Sequence, residues 1–497
     1  ALAHSLAASA LAQTADPADA PDLAAQAEDN ATTAEATDEG AIDAFDQTVP
    51  VADEDPALED SPEDEAVDLN DRDLLIAEFE RFKALQEAGS YDEALNVAKR
   101  VVELSITQTG PTSNDTARSL SNLGLVQHRV GNYEAAEQNF QAAIDIIRDN
   151  EDKLSNMLIN PLKGLGAAQL ANGRPDLASE TYSQAVHISH VNSGPHNLEQ
   201  VEILEALAET NLRIGEIASA KNNQDMIYAL TLRHYSGNSL DLIEPLMRRA
   251  MWQRRTGFVL DERATYRRII RIIETKYGKD DLRLIDPLMQ LGESYFYVDT
   301  SESNAFQSTS VTSGELHFKR AERIAEEHPE ATWEMLVNAK LALADHYNFR
   351  GDQGRARKVY AEVWDLLSTD DERLGTRQRE LEQLVALNED AVARYMGSAT
   401  RKDRAAANSE IREGRIVVTY DVSSRGRVGN LRIIEEEPDE FDDLRRTIVR
   451  ELRTRIFRPR HVDGQPVDTP NQVFRHTFYY LQDELDQMRD TSEDEAT

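Results

Sequence analysis

The sequence predicts a mostly α protein: an α-α superhelical solenoid of stacked helical hairpins, followed by a small α+β domain of order β-β-α-β. Two observations carry that class. Gly89, Gly131, Gly173, Gly215 and Gly257 stand four consecutive steps of 42 residues apart, the mark of an array of identical supersecondary units. From about residue 411 the apolar spacing changes from 3-and-4 to alternation, which is the period of strands. A third observation marks a boundary: residues 1–70 contain 19 Asp+Glu and no Lys or Arg.

The N-terminal stretch comes first in chain order. Residues 1–12 are small and apolar, and Ala10-Leu11-Ala12 before Gln13 resembles the small-x-small end of a signal peptide, so 1–12 is expected to be the remnant of an export signal. An Ala-rich leader has the same composition. Residues 13–70 combine like-charge repulsion with proline and few aromatics, as in Ala52-Asp53-Glu54-Asp55-Pro56, and are expected to be an acidic disordered segment. The whole chain of 497 residues has a formal net charge of −37, so its field repels nucleic acid, and no DNA or RNA partner is expected. It has no window of 18 consecutive apolar residues, hence no expected transmembrane helix. It has no cysteine, which excludes disulfides and thiolate chemistry.

The repeat array is expected over 71–370. Five residues after the first four glycines come Ala94, Ala136, Ala178 and Ala220, and the position fails at Glu262. Nine residues after three of them come Phe140, Tyr182 and Tyr266, while Leu123-Gly124, Leu165-Gly166 and Leu207-Ala208 precede them. Small residues let two helices approach closely and large ones fill the gap between them. The frame reaches Leu291-Gly292, is interrupted by a polar insertion at 300–313, and resumes with Leu343-Ala344, Gly351, Ala356 and Tyr360. Leu123-Gly124, Gly131-Asn132-Tyr133, Ala136 and Phe140 resemble the tetratricopeptide repeat, and the 42-residue period resembles its kinesin-light-chain type. That resemblance implies a concave surface for protein or peptide partners.

Within the array eight arginines fall in 24 residues: Arg248, Arg249, Arg254, Arg255, Arg263, Arg267, Arg268 and Arg271, opposed only by Asp261 and Glu262. Arg263, Arg267 and Arg271 share one helical face and are the candidate partner-binding residues for an acidic segment, either a partner's or the chain's own N-terminal stretch. A solvated face balanced by acidic neighbours is the plainer reading. His187, His190 and His196 complete no ligand set, so no metal is expected. Gly164-Leu165-Gly166 follows no strand and is read as a packing element. No nucleophile elbow or zinc-helix motif occurs. Neither catalysis nor a cofactor is expected.

Residues 371–397 carry Leu381, Leu384, Val385, Ala391, Val392 and Tyr395 and are expected to form a helix capping the last repeat, with 398–410 a linker. Residues 415–422 and 428–435 then read as a hairpin around Ser423-Ser424-Arg425-Gly426. Phe441, Leu444, Ile448, Val449 and Leu452 form one apolar helical stripe, and 473–481 alternates as a third strand. Residues 411–482 hold 13 Arg and 12 Asp+Glu, whereas 483–497 is acidic again and expected to be a disordered tail.

Gly414-Arg415-Ile416-Val417-Val418, Asp421–Val428, Phe457-Arg458-Pro459-Arg460 and Asp463-Gly464-Gln465-Pro466-Val467 resemble the C-terminal domain of TonB-type energy transducers. That resemblance implies a periplasmic domain that takes a segment of an outer-membrane transporter as an added strand. The edge expected to receive it is 473–480, with Val473, Arg475, Thr477 and Tyr479 as candidate partner-binding residues. The function expected is therefore that of an exported, periplasmic protein–protein interaction adaptor linked to TonB-type outer-membrane transport. The alternative is a structural envelope scaffold whose C-terminal domain dimerises or caps without energy transduction.

Overall fold

The computed structural model describes residues 69–235, 237–296, 314–388, 411–482 and 485–486. The chain divides into two compact units, and the boundary between them falls at His234 and Tyr235. The described part of the first comprises residues 69–234. That of the second comprises 235, 237–296, 314–388, 411–482 and 485–486. The expectations for 1–12, for most of 13–70, for the insertion at 300–313, and for the linker at 398–410 lie outside the described residues.

The first unit is four helical hairpins: α1 (Leu69–Glu87) with α2 (Tyr91–Thr109), α3 (Asn114–Arg129) with α4 (Tyr133–Asn150), α5 (Ile159–Ala171) with α6 (Pro175–Ser193), and α7 (Gln200–Ile214) with α8 (Ile217–His234). The predicted glycines lie in the turns within the hairpins. Gly131 has φ +80° and Gly215 +94°, left-handed values that a Cβ disfavours. Phe140 and Tyr182 are completely buried, and each faces the glycine that makes room for it, Gly124 and Gly166 respectively. A Cβ on Gly166 would stand 2.9 Å from the Tyr182 ring. The aromatic is thus seated in a slot one methyl deep, the steric basis of the repeat.

The second unit continues the scheme with α9 (Ile243–Arg255) and α10 (Val259–Tyr277), α11 (Ile285–Glu293) and α12 (Glu315–Glu327), and α13 (Trp333–Phe349) and α14 (Gln353–Leu367). Gly292 faces the fully buried Phe318 across the interrupted repeat, so the slot persists although the connection has changed.

The structure differs from expectation over 371–397. The helix there, α15, runs only Asp371–Glu380 and buries no residue. The chain then extends, and Leu381 enters the core of the last hairpin. Val385–Ala386 form β1. Residues 389–397 lie outside the described residues.

The C-terminal domain has the predicted order: β2 (Ile411–Val422), β3 (Val428–Glu437), α16 (Asp442–Thr454), then short strands β4 (Phe457–Arg458), β5 (His461–Val462) and β6 (Gln465–Pro466), and finally β7 (Thr469–Leu481). The main sheet is antiparallel, ordered β3-β2-β7. Ile416, Val418, Tyr420 and Val422 of β2 meet Ile448 and Leu452 of α16 and Phe478 and Tyr480 of β7 in one core. Leu485, assigned from sequence to a disordered tail, is buried in that core, because its side chain completes the apolar cluster at the end of β7.

Candidate functional site

Two further sets of polar side chains recur with the repeat. Ser113, Ser155, Asn197, Ser239 and Asp281 also recur every 42 residues, and each side chain accepts a backbone N–H two or three residues on, at 3.0 to 3.4 Å. Ser113, Ser155, Ser239 and Asp281 are the N-caps of the helical turns that open their repeats, and Asn197 makes the equivalent bond three residues before α7 begins. Gln127, Gln169 and Gln253 accept hydrogen bonds across the hairpin from Asn139, Thr181 and Thr265 at 2.6, 2.8 and 2.8 Å. The stride that revealed the glycines could have found both sets. Apolar periodicity does not mark them, because both sets are polar.

The arginine-rich stretch resolves into distinct environments. Arg254 stands where two earlier repeats have Leu170 and Leu212, and it reaches Glu262 at 2.8 Å, Gln290 at 2.8 Å and Glu293 at 3.2 Å. Glu262, where the alanine pattern failed, is completely buried. Burial pushes its carboxyl pKa up, against the pull of Arg254 and Arg263. Arg263 donates to the Ser294 carbonyl at 2.8 Å and lies 4.3 Å from the Tyr295 ring centre. Arg267 donates to the Tyr295 hydroxyl at 3.1 Å and is exposed, as is Arg271. The three candidates thus share a helix face, but Arg263 is drawn into the packing while the other two face solvent.

On β7, Phe474, His476 and Phe478 form a run of stacked rings. Val473, Arg475, Thr477 and Tyr479 alternate with that run and so occupy the opposite face. They pair in register with Thr419, Val417, Arg415 and Glu413 of β2. β7 and β3 are the two outer strands of the sheet. β3 is broken by register shifts and carries the run Glu435-Glu436-Glu437, both devices that discourage further pairing. The pairing of β7 with β2 is continuous from Ile411 to Tyr420.

Within the second unit the sheet domain is fastened to the last hairpin through the Phe457-Arg458-Pro459-Arg460 segment. Arg458, 7% exposed, donates two hydrogen bonds to Asp345, at 2.9 and 2.6 Å, and two more to the Glu380 carbonyl and carboxylate, at 3.0 and 2.9 Å. Burial works against its charge, but Asp345, Tyr360 and Glu380 outweigh it and hold the guanidinium protonated. The Tyr360 hydroxyl bonds Asp345 at 2.7 Å. Asn348 donates to the Phe457 carbonyl at 2.7 Å, Arg427 to the Asn348 carbonyl at 2.8 Å, and β1 pairs with β4. The last hairpin is therefore closed by the sheet domain and the 381–386 segment, the role assigned from sequence to a terminal helix.

Among the described residues no group of three His, Cys, Asp or Glu is placed to hold a metal ion, and no helix is long and apolar enough to cross a membrane. The tetratricopeptide repeat family matches residues 83–149, the stretch around α2, α3 and α4. Similar solved structures include the kinesin-light-chain TPR-like repeats of Podosopora anserina, 16% identical, covering 42% of this chain and 100% of that one with a TM-score of 0.38. A point variant of those repeats is 12% identical over 60% of this chain and 95% of that one, with a TM-score of 0.27. BtubC (BKLC) from P. vanneervenii is 15% identical over 56% and 88%, with a TM-score of 0.25. No curated protein matches the chain.

Proposed function

We propose that the chain is an exported, periplasmic adaptor that binds proteins through its tetratricopeptide-type hairpins and takes an extended peptide along the outer edge of β7, in connection with TonB-type outer-membrane transport. The observation that carries the reading is the place of β7 as an outer strand whose pairing with β2 runs in register from Ile411 to Tyr420. A strand laid there gains backbone hydrogen bonds with little demand on its sequence, and Val473, Arg475, Thr477 and Tyr479 offer alternate side chains for selection. The resemblance of 411–481 to TonB-type C-terminal domains and the signal-like start support the compartment.

A labelled peptide from the periplasmic end of an outer-membrane receptor, titrated into the full chain, is expected to bind, and N-methylation of alternate peptide nitrogens is expected to abolish binding. Equal binding of the methylated peptide removes strand addition. Fractionation of cells making the full protein tests the compartment, and recovery in the cytoplasm removes it.

A second reading, in which the sheet domain serves only as a cap, is favoured by the burial of Arg458 against Asp345 and Glu380. Sedimentation separates the two readings. A monomer that gains mass only with receptor peptide supports the adaptor, whereas a constant species indifferent to peptide supports the cap.

A further inference from the structure

One face of the second unit concentrates positive charge around an aromatic pair. Arg267 and Arg271, one turn apart on α10, are exposed, and no carboxylate among the described residues pairs with either. Beside them Tyr295 lies between the Arg263 guanidinium at 4.3 Å and the His317 ring at 6.0 Å, and it accepts a hydrogen bond from Arg267 at 3.1 Å. Arg320, on α12 with His317, is tied to Glu274 at 2.7 Å. Burial lowers the pKa of His317, and the charges of Arg267 and Arg320 lower it further, a sign of how closely the cations crowd this spot. Arg320 is matched by Glu274, but Arg267 and Arg271 hold their charges on the same face without a carboxylate among the described residues, and a bound anion relieves their mutual repulsion.

We propose that this α10–α12 face, with Arg267 and Arg271 as charged contacts and Tyr295 and His317 as its aromatic floor, binds a short acidic peptide of a partner protein. The proposal rests on the adaptor reading and names the partner chemistry of a second site, away from β7. Charge complementarity selects the ligand. Arg267 and Arg271 lie at i and i+4 on one helical face, a spacing that matches neighbouring carboxylates on a peptide. A long polyanion or an anionic membrane presents charge far beyond the patch, where a chain of net charge −37 repels it. A peptide bearing a few carboxylates confines its charge to the patch, within the screening length of about 8–10 Å.

The test uses the full chain and a fluorescein-labelled poly-glutamate peptide, read by anisotropy. Binding that weakens with salt, and that drops on the order of tenfold or more in Arg267→Glu/Arg271→Glu, supports the proposal. The control Arg425→Glu/Arg446→Glu carries the same change in net charge on the sheet domain and is expected to bind as the parent does. Circular dichroism of each variant secures the fold. Equal loss in both double variants, or no binding by the parent, overturns the proposal. So does tighter binding of duplex DNA or of anionic vesicles than of the peptide. If the parent fails to bind while removal of residues 1–68 uncovers a site sensitive to Arg267→Glu, the occupant is the chain's own acidic segment, and a partner peptide is ruled out. Retained binding of receptor peptide at β7 alongside failure here removes this site alone.

Discussion

The hairpins α5/α6 and α9/α10 occupy equivalent frames of the repeat yet solve the same packing problem with different chemistry. In the first, Leu170 and Ala178 meet as an apolar pair, both buried. In the second the same two positions hold Arg254 and Glu262, which meet at 2.8 Å. The aromatic that follows, Tyr182 or Tyr266, is buried in both. The helix spacing therefore does not require a small apolar residue. A buried Arg–Glu pair is also accepted there, because Gln290 and Glu293 satisfy the remaining donors of the guanidinium. The ionic version also ties α9 to α11, which leucine cannot do.

The largest effect is expected where a buried charge is most completely enclosed: Arg458→Ala leaves Asp345 buried without its partner and should cost about 3–5 kcal/mol. Limited proteolysis should then cut between the last hairpin and the sheet domain. Unchanged resistance would mean that β1–β4 pairing alone holds them together.

Acid comes next. His346 and His461 are buried, and burial lowers both pKa values from 6.5 to about 4, Arg458 adding to the effect on His461 and the Pro459 and Leu381 backbones opposing it. Below pH 6.5 the unfolded chain takes up protons that the folded chain refuses, so stability is complete above pH 6.5 and is lost as pH falls toward 4. Each histidine contributes on the order of 2–3 kcal/mol across that window. The raised carboxyl of Glu262 titrates in the opposite sense, so the readout is the difference between the parent and His346→Gln/His461→Gln in thermal midpoint against pH. Parallel curves would remove the histidines as the cause.

The smallest effect tests the substituted pair itself. Glu262→Ala should cost about 1–3 kcal/mol, because Arg254 loses its most buried partner. The double change Arg254→Leu/Glu262→Ala restores the pattern of the earlier hairpin and should recover most of that loss in urea unfolding. A double variant less stable than the single one would show that the ties to Gln290 and Glu293 matter more than the pair.

Much of this architecture was legible before any coordinates. The 42-residue stride named the turn glycines, the buried Phe140, Tyr182 and Tyr266, and the slots at Gly124 and Gly166. The alternation after residue 411 named the strands. These features are local, since a turn or a 3-and-4 stripe is encoded within a few residues of itself. The candidate sites were less legible. Arg263, Arg267 and Arg271 look equivalent on a helical wheel, and it takes the Ser294 carbonyl and the Tyr295 ring to draw Arg263 inward. Residues 371–397 have the stripe of a helix, but Leu381, Leu384 and Ala386 are claimed by the last hairpin and the sheet domain, and those contacts outweigh local propensity.

The repeating hairpins, the small β-β-α-β domain and the uneven charge are each written in short-range spacing or composition. Tertiary structure alone decided that Arg458 closes the last hairpin against Asp345, 113 residues away, and that Glu262 is a partner for Arg254 rather than a defect in the repeat. It also decided that β7 and β3 are the two outer strands of the sheet, with β2 between them. Such pairings depend on which surfaces meet when distant segments pack. No stride along the chain encodes that, since the free energy of a buried charge depends on what encloses it.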